Sequence, residues 1–231
     1  MSEVVLMGAR FGAFGKMPSL GDFLRMDLPQ GFVDPWDRWL QEGMLAARAS
    51  LGDGWQDCYF SAPIWRFTLS PGLAGAAAMQ GVMMMSVDRV GRQFPLTLAS
   101  PLGDLQAPVL AHLRAAAGFV ALEGLALDAL EDTMTRDILQ TRLAAMPLPA
   151  PAAMPVLMQA QGGLVVLADN GDLTSSLAAQ QVAGKFRKPS VWTADLGGQA
   201  RMMVCEGLPA GGQMTGLFDM AAHVWQEMED A

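Results

Sequence analysis

The sequence predicts an α/β fold of the α+β kind, with a mixed, largely antiparallel sheet flanked by helices. Short segments rich in β-branched and aromatic residues alternate with longer segments that have helical spacing. Two of the short segments are joined by a tight charged turn, which indicates an antiparallel hairpin. The regular strand and helix alternation that builds a parallel sheet is missing. Apolar residues make up 52% of the 231 positions and charged residues 16%, a composition typical of a chain with a core.

The amino-terminal part is predicted to contain a strand over residues 4–14 and then a helix near Asp34. We expect Asp34 to cap this helix, Pro35 to occupy its first position and Gly52 to end it. Its buried face is expected to carry the apolar and small residues at helical spacing, which are Trp36, Trp39, Leu40, Gly43, Met44 and Ala47.

Three strands are predicted next, over residues 64–69, 80–87 and 94–99. The second and third flank the charged turn at residues 88–92 and should form the hairpin. Pro95 lies near the start of the third strand and has no N–H for a sheet ladder. Its position therefore predicts a sheet edge or a bulge there.

The remainder is predicted to be helical over residues 108–146, with a Pro/Ala-rich connector following over residues 147–160. Residues 1–146 thus form one region and residues 161–231 an α/β portion packed into the same domain. That portion is expected to hold strands at 164–168, 191–193 and 202–206, a helix at 173–186, and a last helix with Leu217, Met220, Ala221, Val224, Trp225 and Met228 on one face.

Charge and composition limit the kinds of partner. The net charge of −8 disfavours nucleic acid and anionic membrane surfaces. The uncharged segments 67–87 and 143–168 are interrupted by glycine or proline, so no membrane-spanning helix is predicted. Cys58 and Cys205 fit no disulfide or metal motif, and the amino terminus does not resemble a signal peptide. Together these features predict a cytoplasmic protein with reduced thiols.

The stretch GAFGKMPSLGDF, residues 12–23, resembles a phosphate-binding loop only superficially. That loop needs Gly-x-x-x-x-Gly-Lys-Ser/Thr, but here Arg10 stands at the first glycine position and Met17 follows Lys16. The glycines are therefore predicted to permit turns. His112 and His223 have no ligand partners at metal-binding spacing. We expect no catalytic site, no metal and no cofactor.

The charged turn at 88–92 allows two interpretations. One is a polar hairpin tip, with Asp and Gly where a turn favours them. The other is an arginine pair displayed to bind a partner's carboxylates. Trp36, Trp39 and Trp65 are predicted to anchor the core, although tryptophan is also common at interface hot spots.

Four segments, taken together, resemble one protein family. They are GAFGKMPSLGDF, FVDPWDRWL, PIWRF and SVDRVGRQFPLTL, within residues 12–98. In order and content they are similar to the type VI secretion-associated protein TagF, also called ImpM. The sequences PSVW and GLP, within residues 189–209, resemble weaker landmarks of the same family. Met85, Thr193 and Leu20 depart from the family's usual proline, tryptophan and basic residue.

The resemblance implies a cytoplasmic accessory protein that represses type VI secretion after translation and without catalysis. It implies binding to the forkhead-associated scaffold protein of the system, which is linked to an activating threonine-phosphorylation pathway. Baseplate or membrane-complex components are further candidate partners. The resemblance also implies a longin- or profilin-like sheet core in the first half.

The contact surface is expected to include the loop at 15–23 and the turn at 88–92. The candidate contacts are Lys16, Asp22, Arg66, Asp88, Arg89 and Arg92. Two alternatives stay open. In one, Lys16, Asp88 and Arg92 converge in a cleft that binds a small ligand or performs an unrecognised reaction. In the other, the chain is a structural adaptor that stays in the assembled apparatus.

Overall fold

Seven strands form one antiparallel sheet in the computed structural model, which describes residues 10–103, 107–149, 156–160, 163–167 and 172–226. The strands in chain order are β1 (Gly12–Gly15), β2 (Leu24–Met26), β3 (Trp65–Leu69), β4 (Met79–Met84), β5 (Leu96–Pro101), β6 (Val156–Ala160), β7 (Gly163–Leu167), β8 (Pro189–Asp195) and β9 (Ala200–Glu206). β6 and β7 pair with each other, and the sheet order is β2-β1-β5-β4-β3-β8-β9. The predicted fold class is confirmed, and the sheet takes strands from both sides of residue 146.

Helices cover both faces of this sheet. They are α1 (Gln30–Leu51), α2 (Trp55–Ser61), α3 (Pro108–Arg114), α4 (Ala116–Asp128), α5 (Arg136–Ala144), α6 (Leu173–Ala183) and α7 (Gly212–Thr215). One face packs against α1, α2 and α7, and the other packs against α3, α4, α5 and α6. None of the described helices is long and apolar enough by itself to cross a membrane; α3 and α4 reach that length and composition only together, across a bend of 73°.

Trp36 lies at the centre of the core between α1 and the sheet. It is completely buried and stacks on Trp192, with the ring planes 3° apart. Its indole Nε1 donates a hydrogen bond of 3.0 Å to the Thr97 hydroxyl on β5. An indole ring has one polar atom, and here that atom is satisfied inside the core. Trp36 therefore fixes α1 against both β5 and β8.

Two other tryptophans hold the carboxy-terminal residues against the sheet and α1. Trp65 on β3 is completely buried, donates to the Leu217 carbonyl at 2.8 Å and stacks on Trp225. Trp39 on α1 is partly buried and donates to the Pro209 carbonyl at 2.9 Å. The chain beyond β9 is thereby fixed in place by side chains from the first third of the sequence.

The first helix begins at Gln30, earlier than predicted. Asp34 does not cap it but accepts a hydrogen bond from the Gln30 side chain, and Pro35 lies inside the helix. An internal proline removes a backbone hydrogen bond, but burial of one helix face offsets that loss. The buried residues are Phe32, Val33, Trp36, Leu40 and Ala47. Gly52, with a φ of 54°, ends the helix as predicted.

The prediction of an edge strand or bulge at Pro95 is wrong. β5 lies inside the sheet, between β1 and β4, and Pro95 immediately precedes it. The missing N–H therefore falls before the first ladder residue, Leu96. Of the predicted strand at 4–14, β1 covers the last part, and residues 1–9 lie outside the described residues.

The helical segment predicted over 108–146 is divided into α3, α4 and α5. Its second break is at residues 129–135, where the Thr135 hydroxyl accepts the Ile138 N–H and caps α5. The predicted connector at 147–160 includes β6, while residues 150–155 lie outside the described residues. Apolar residues at helical spacing on both sides of each break hid these ends in the sequence.

The continuous last helix predicted from Leu217 to Met228 is wrong. The structure has the one-turn helix α7, a turn in which Asp219 Oδ1 accepts the Ala221 N–H, and a 3-10 turn at His223–Trp225. Met228 lies outside the described residues. Leu217 and Phe218 are buried in the core. The apolar residues at helical spacing therefore belong to separate turns that pack against the sheet, and not to one helix.

Candidate functional site

Two loops from distant parts of the sequence meet at one end of the sheet. Residues 16–23 follow β1, and residues 88–92 lie between β4 and β5. The Arg89 N–H donates to the Leu20 carbonyl at 2.9 Å, and Arg92 Nη2 donates to the Gly21 carbonyl at 2.8 Å. These two segments, called the paired loops below, are adjacent because β1 and β5 are neighbours in the sheet.

Asp88 holds the paired loops together. Its Oδ2 lies 2.6 Å from Arg92 Nε and 3.0 Å from Lys16 Nζ. Its Oδ1 accepts the backbone N–H groups of Val90 and Arg92, at 3.1 and 2.9 Å. The Asp88 side chain is 0% exposed. Each of its two oxygens thus accepts from two donors. A buried carboxylate needs such hydrogen bonds and opposite charges to offset the loss of water.

The charge of Asp88 follows from these contacts. Burial alone raises the pKa of a carboxyl group, because it disfavours the ionised form. Here the backbone N–H of Arg92, the Lys16 ammonium, the Arg92 guanidinium and the Val90 N–H outweigh burial and hold the pKa of Asp88 well below its usual range. Asp88 is therefore a carboxylate at neutral pH.

Lys16 and Phe23 form the other side of the same arrangement. The Lys16 side chain is nearly buried, and its Nζ lies 5.1 Å from the centre of the Phe23 ring. The Phe23 ring stacks edge-on against Phe94 at 4.9 Å and also contacts Phe14. Phe23 is nevertheless 44% exposed. The paired loops thus present the Phe23 side chain at the surface, and its contacts with Lys16, Phe14 and Phe94 fix its position.

The predicted contact residues do not all lie in one place. Lys16 and Asp88 are at the paired loops but buried, whereas Asp22, Arg89 and Arg92 are exposed there. The Arg89 guanidinium packs over Gly21, where an added Cβ would meet Nη2 at 3.4 Å. That distance is an ordinary van der Waals contact, so the Arg89 side chain lies directly against the 16–23 loop.

Arg66 lies apart from the paired loops. It is on β3 and forms two hydrogen bonds of 2.7 Å to the carboxylate oxygens of Glu123 on α4. Both side chains are 19% exposed. This two-bond geometry is the strong form of an arginine–carboxylate pair. It joins α4 to the sheet, and no motif in the sequence indicated Glu123 as the partner.

A groove of about 640 Å³ lies beside the paired loops, between α1, α2 and residues 91–94. Its charged lining side chains are Arg48 and Arg92, and its large apolar ones are Met44, Leu45, Trp55, Phe60 and Phe94. Trp55 is fixed by a hydrogen bond of 2.8 Å from its Nε1 to Gln93 Oε1. Sequence reasoning missed this α1–α2 groove. The available signal was the helical spacing of Gln41, Leu45 and Arg48 on the solvent side of α1.

A buried polar row crosses the opposite face of the sheet. Gln80 Nε2 donates to Thr68 Oγ1 at 3.0 Å, and His112 on α3 bonds Thr68 and Thr193 through its two ring nitrogens, each at 2.9 Å. Burial, aided by the charge of Arg66, lowers the pKa of His112 to about 3. His112 is therefore a neutral residue that joins α3 to β3 and β8.

The described residues contain no group of three or more His, Cys, Asp or Glu side chains that could hold a metal ion. The groups proposed for a reactive cleft do converge, but Lys16 and Asp88 are buried in mutual contact. Of these three residues only Arg92 lines the α1–α2 groove. Asp88 can reach a ligand there only after its ion pairs are broken.

These features define a mixed α/β protein that presents two charged loops, locked by a buried carboxylate, at one end of an antiparallel sheet. A family model described as the TagF N-terminal domain, type VI secretion system-associated, matches residues 12–146. The chain belongs to the TagF family and is a type VI secretion-associated protein, as its motifs predicted. The matched residues include the paired loops and the α1–α2 groove.

The chain is also similar to a solved structure. This is PA0076 from Pseudomonas aeruginosa PAO1, with 31% identity and a TM-score of 0.76. The similarity covers 96% of this chain and 99% of PA0076, so it extends beyond the matched family region. No curated protein matches the chain significantly.

Proposed function

We propose that this protein is a cytoplasmic negative regulator of type VI secretion that acts after translation by binding the forkhead-associated scaffold protein of the same system. It performs no catalysis. The single observation that carries the proposal is the Asp88 arrangement, which locks two loops and leaves Asp22, Phe23 and Arg89 at the surface. Membership of a secretion-associated family supplies the pathway.

A surface of this kind suits protein binding. Arginine and aromatic side chains carry much of the energy at interfaces. Binding costs free energy whenever loops must be ordered at the moment of association. The hydrogen bonds and ion pairs around Asp88 fix both loops in the free protein. The loops are therefore already ordered before a partner binds, and binding does not have to order them. Arg89 and Phe23 are then presented to a partner in a fixed arrangement.

Repression follows from the binding of the scaffold protein to this chain. A scaffold protein that is bound to this chain does not join the assembling secretion machine. Release of the scaffold restores assembly, so the activity of the system depends on the affinity of this contact. Arg89 is the best position at which to change that affinity, because it is exposed and lies outside the buried ion pairs.

The test is secretion by cells that overproduce the protein. Wild type should repress type VI secretion, and Arg89→Glu should fail to repress it at the same protein level. Lys185→Glu, an equal charge change at an exposed site after α6, is the control and should repress normally. Full repression by Arg89→Glu would remove this surface from the proposal. Arg92→Glu is unsuitable, because it places a second carboxylate beside Asp88.

A further inference from the structure

The α1–α2 groove combines water-exposed apolar side chains with positive charge. Leu45 is 72% exposed and Phe60 is 58% exposed, although both are large apolar residues. Arg48 and Arg92 stand at the same groove, and no Asp or Glu lines it. The whole chain has 23 acidic and 15 basic side chains. A groove with only arginine charges therefore differs in sign from the molecule that carries it.

Arg48 and Arg92 differ in how free their guanidinium groups are to bind a carboxylate. Arg48 forms no ion pair with any described residue. Arg92 is held by Asp88 and by the Gly21 carbonyl, yet its side chain is 62% exposed. A carboxylate entering the groove meets one guanidinium that has no ion pair among the described residues and one that Asp88 holds in place. Arg48 matches the planar, two-oxygen geometry of a carboxylate, whereas Arg92 offers chiefly its Nη1, because its Nε and Nη2 already donate to Asp88 and Gly21.

The apolar part of the groove is already in place in the free protein. Trp55 is fixed by Gln93, and Phe94 is fixed by its contacts with Phe14 and Phe23. The volume of about 640 Å³ lies within the range of about 300–1,000 Å³ that accepts drug-sized ligands. Side chains of one or two residues from a partner fit a space of this size.

We propose that the α1–α2 groove binds a segment of a partner protein in which a large apolar side chain is flanked by carboxylates. The proposal rests on the proposed function, in that the chain acts by binding protein. The apolar side chain covers Leu45 and Phe60, and the carboxylates meet Arg48 and Arg92. Charge complementarity selects this segment, because the groove repels basic segments and offers no acid to pair with them.

The test uses a library of random peptides displayed on phage and selected against the purified full chain. Selected sequences should combine Leu, Ile, Phe or Trp with neighbouring Asp or Glu. Two selected peptides, made synthetically with a fluorescent label, are then titrated by anisotropy. Arg48→Glu and Phe60→Ser should each weaken binding at least tenfold, and Lys185→Glu should leave it unchanged. The altered residues are exposed, so equal thermal stability serves as the folding check.

Several outcomes overturn the proposal. They are a library that yields no enriched sequence, peptides with acidic but no apolar enrichment, and selected peptides that bind Arg48→Glu and Phe60→Ser as tightly as wild type. Selected peptides that bind Arg89→Glu weakly but bind Arg48→Glu and Phe60→Ser as tightly as wild type reject the groove and leave the proposed function standing. Conversely, groove-dependent peptides together with full repression by Arg89→Glu support the groove and reject the paired loops as the repressing surface.

Discussion

The Lys16 ammonium lies 3.0 Å from the Asp88 carboxylate, with both side chains withdrawn from solvent. This ion pair joins the end of β1 to the turn between β4 and β5. A buried ion pair adds little net stability over apolar packing, but loss of one partner leaves an uncompensated charge. Its role is therefore to fix one arrangement of the paired loops, and its removal is expected to be costly.

Replacement of Lys16 tests this role. Lys16→Met should lower the free energy of unfolding, because Asp88 stays withdrawn from solvent and keeps only the Arg92 guanidinium as a cationic partner. Urea denaturation measures the change. Lys185→Met, the same substitution at an exposed lysine, should change stability by less than about 0.5 kcal/mol. Equal stability of Lys16→Met and wild type would show that the ion pair does not hold the loops.

His112 predicts how stability depends on pH. The unfolded histidine takes up a proton near pH 6.5, but the folded one does so only near its pKa of about 3. Between these values the unfolded state binds more protons, so this contribution to stability is complete above pH 6.5 and is lost as the pH falls. The slope is at most about 1.4 kcal/mol per pH unit.

The measurement is urea denaturation of wild type, His112→Asn and His223→Asn at a series of pH values between 7 and 5. His112→Asn should be less stable at pH 7 and should lose the histidine part of the slope. His223 lies in the exposed 3-10 turn, and its variant is the control for the loss of a histidine. A wild-type slope in His112→Asn would contradict the assignment.

Gly15 is required by the backbone at the junction of β1 and the first paired loop. Its φ is 127°, and an added Cβ would overlap the Pro95 carbonyl oxygen. Gly15→Ala should therefore destabilise the protein by more than about 2 kcal/mol. Gly124→Ala is the matched control, because that glycine is inside α4 with no atom near its Cβ position, and it should gain about 0.5–1 kcal/mol. Thermal unfolding of Gly15→Ala and Gly124→Ala measures both stability changes.

Arg66 is predicted to act in stability and not in partner binding. Arg66→Gln breaks the two bonds to Glu123 and should cost about 2 kcal/mol, since a partly buried carboxylate loses a charged partner. Affinity for the scaffold protein, measured below the unfolding temperature, should stay within twofold of wild type. A large loss of affinity in folded Arg66→Gln would place Arg66 at the interface.

Local signals in the sequence predicted much of the fold. The 88–92 turn and its hairpin were readable because Asp88 and Gly91 occupy the positions that a tight turn favours. Gly52 marked the end of α1 for a similar local reason. The start of α1 was not readable, because burial of Phe32 and Val33 outweighs the local signal of Asp34 and its following proline.

The candidate site was predictable only in part. The two loops were identified as surface segments, but their contact depends on β1 lying beside β5, which is a long-range pairing. Burial of Lys16 follows from that pairing and not from its neighbours in sequence. The α1–α2 groove likewise needs Arg48 and Arg92 to be brought together by packing of the helices against the turn.

The most direct test is a calorimetric titration of the purified chain with the purified forkhead-associated scaffold protein. Wild type and Lys185→Glu should bind with equal affinity, and Arg89→Glu, with an unchanged unfolding temperature, should bind at least tenfold more weakly. Equal binding by folded Arg89→Glu, or no binding by wild type, would contradict a regulator that holds its scaffold through the paired loops.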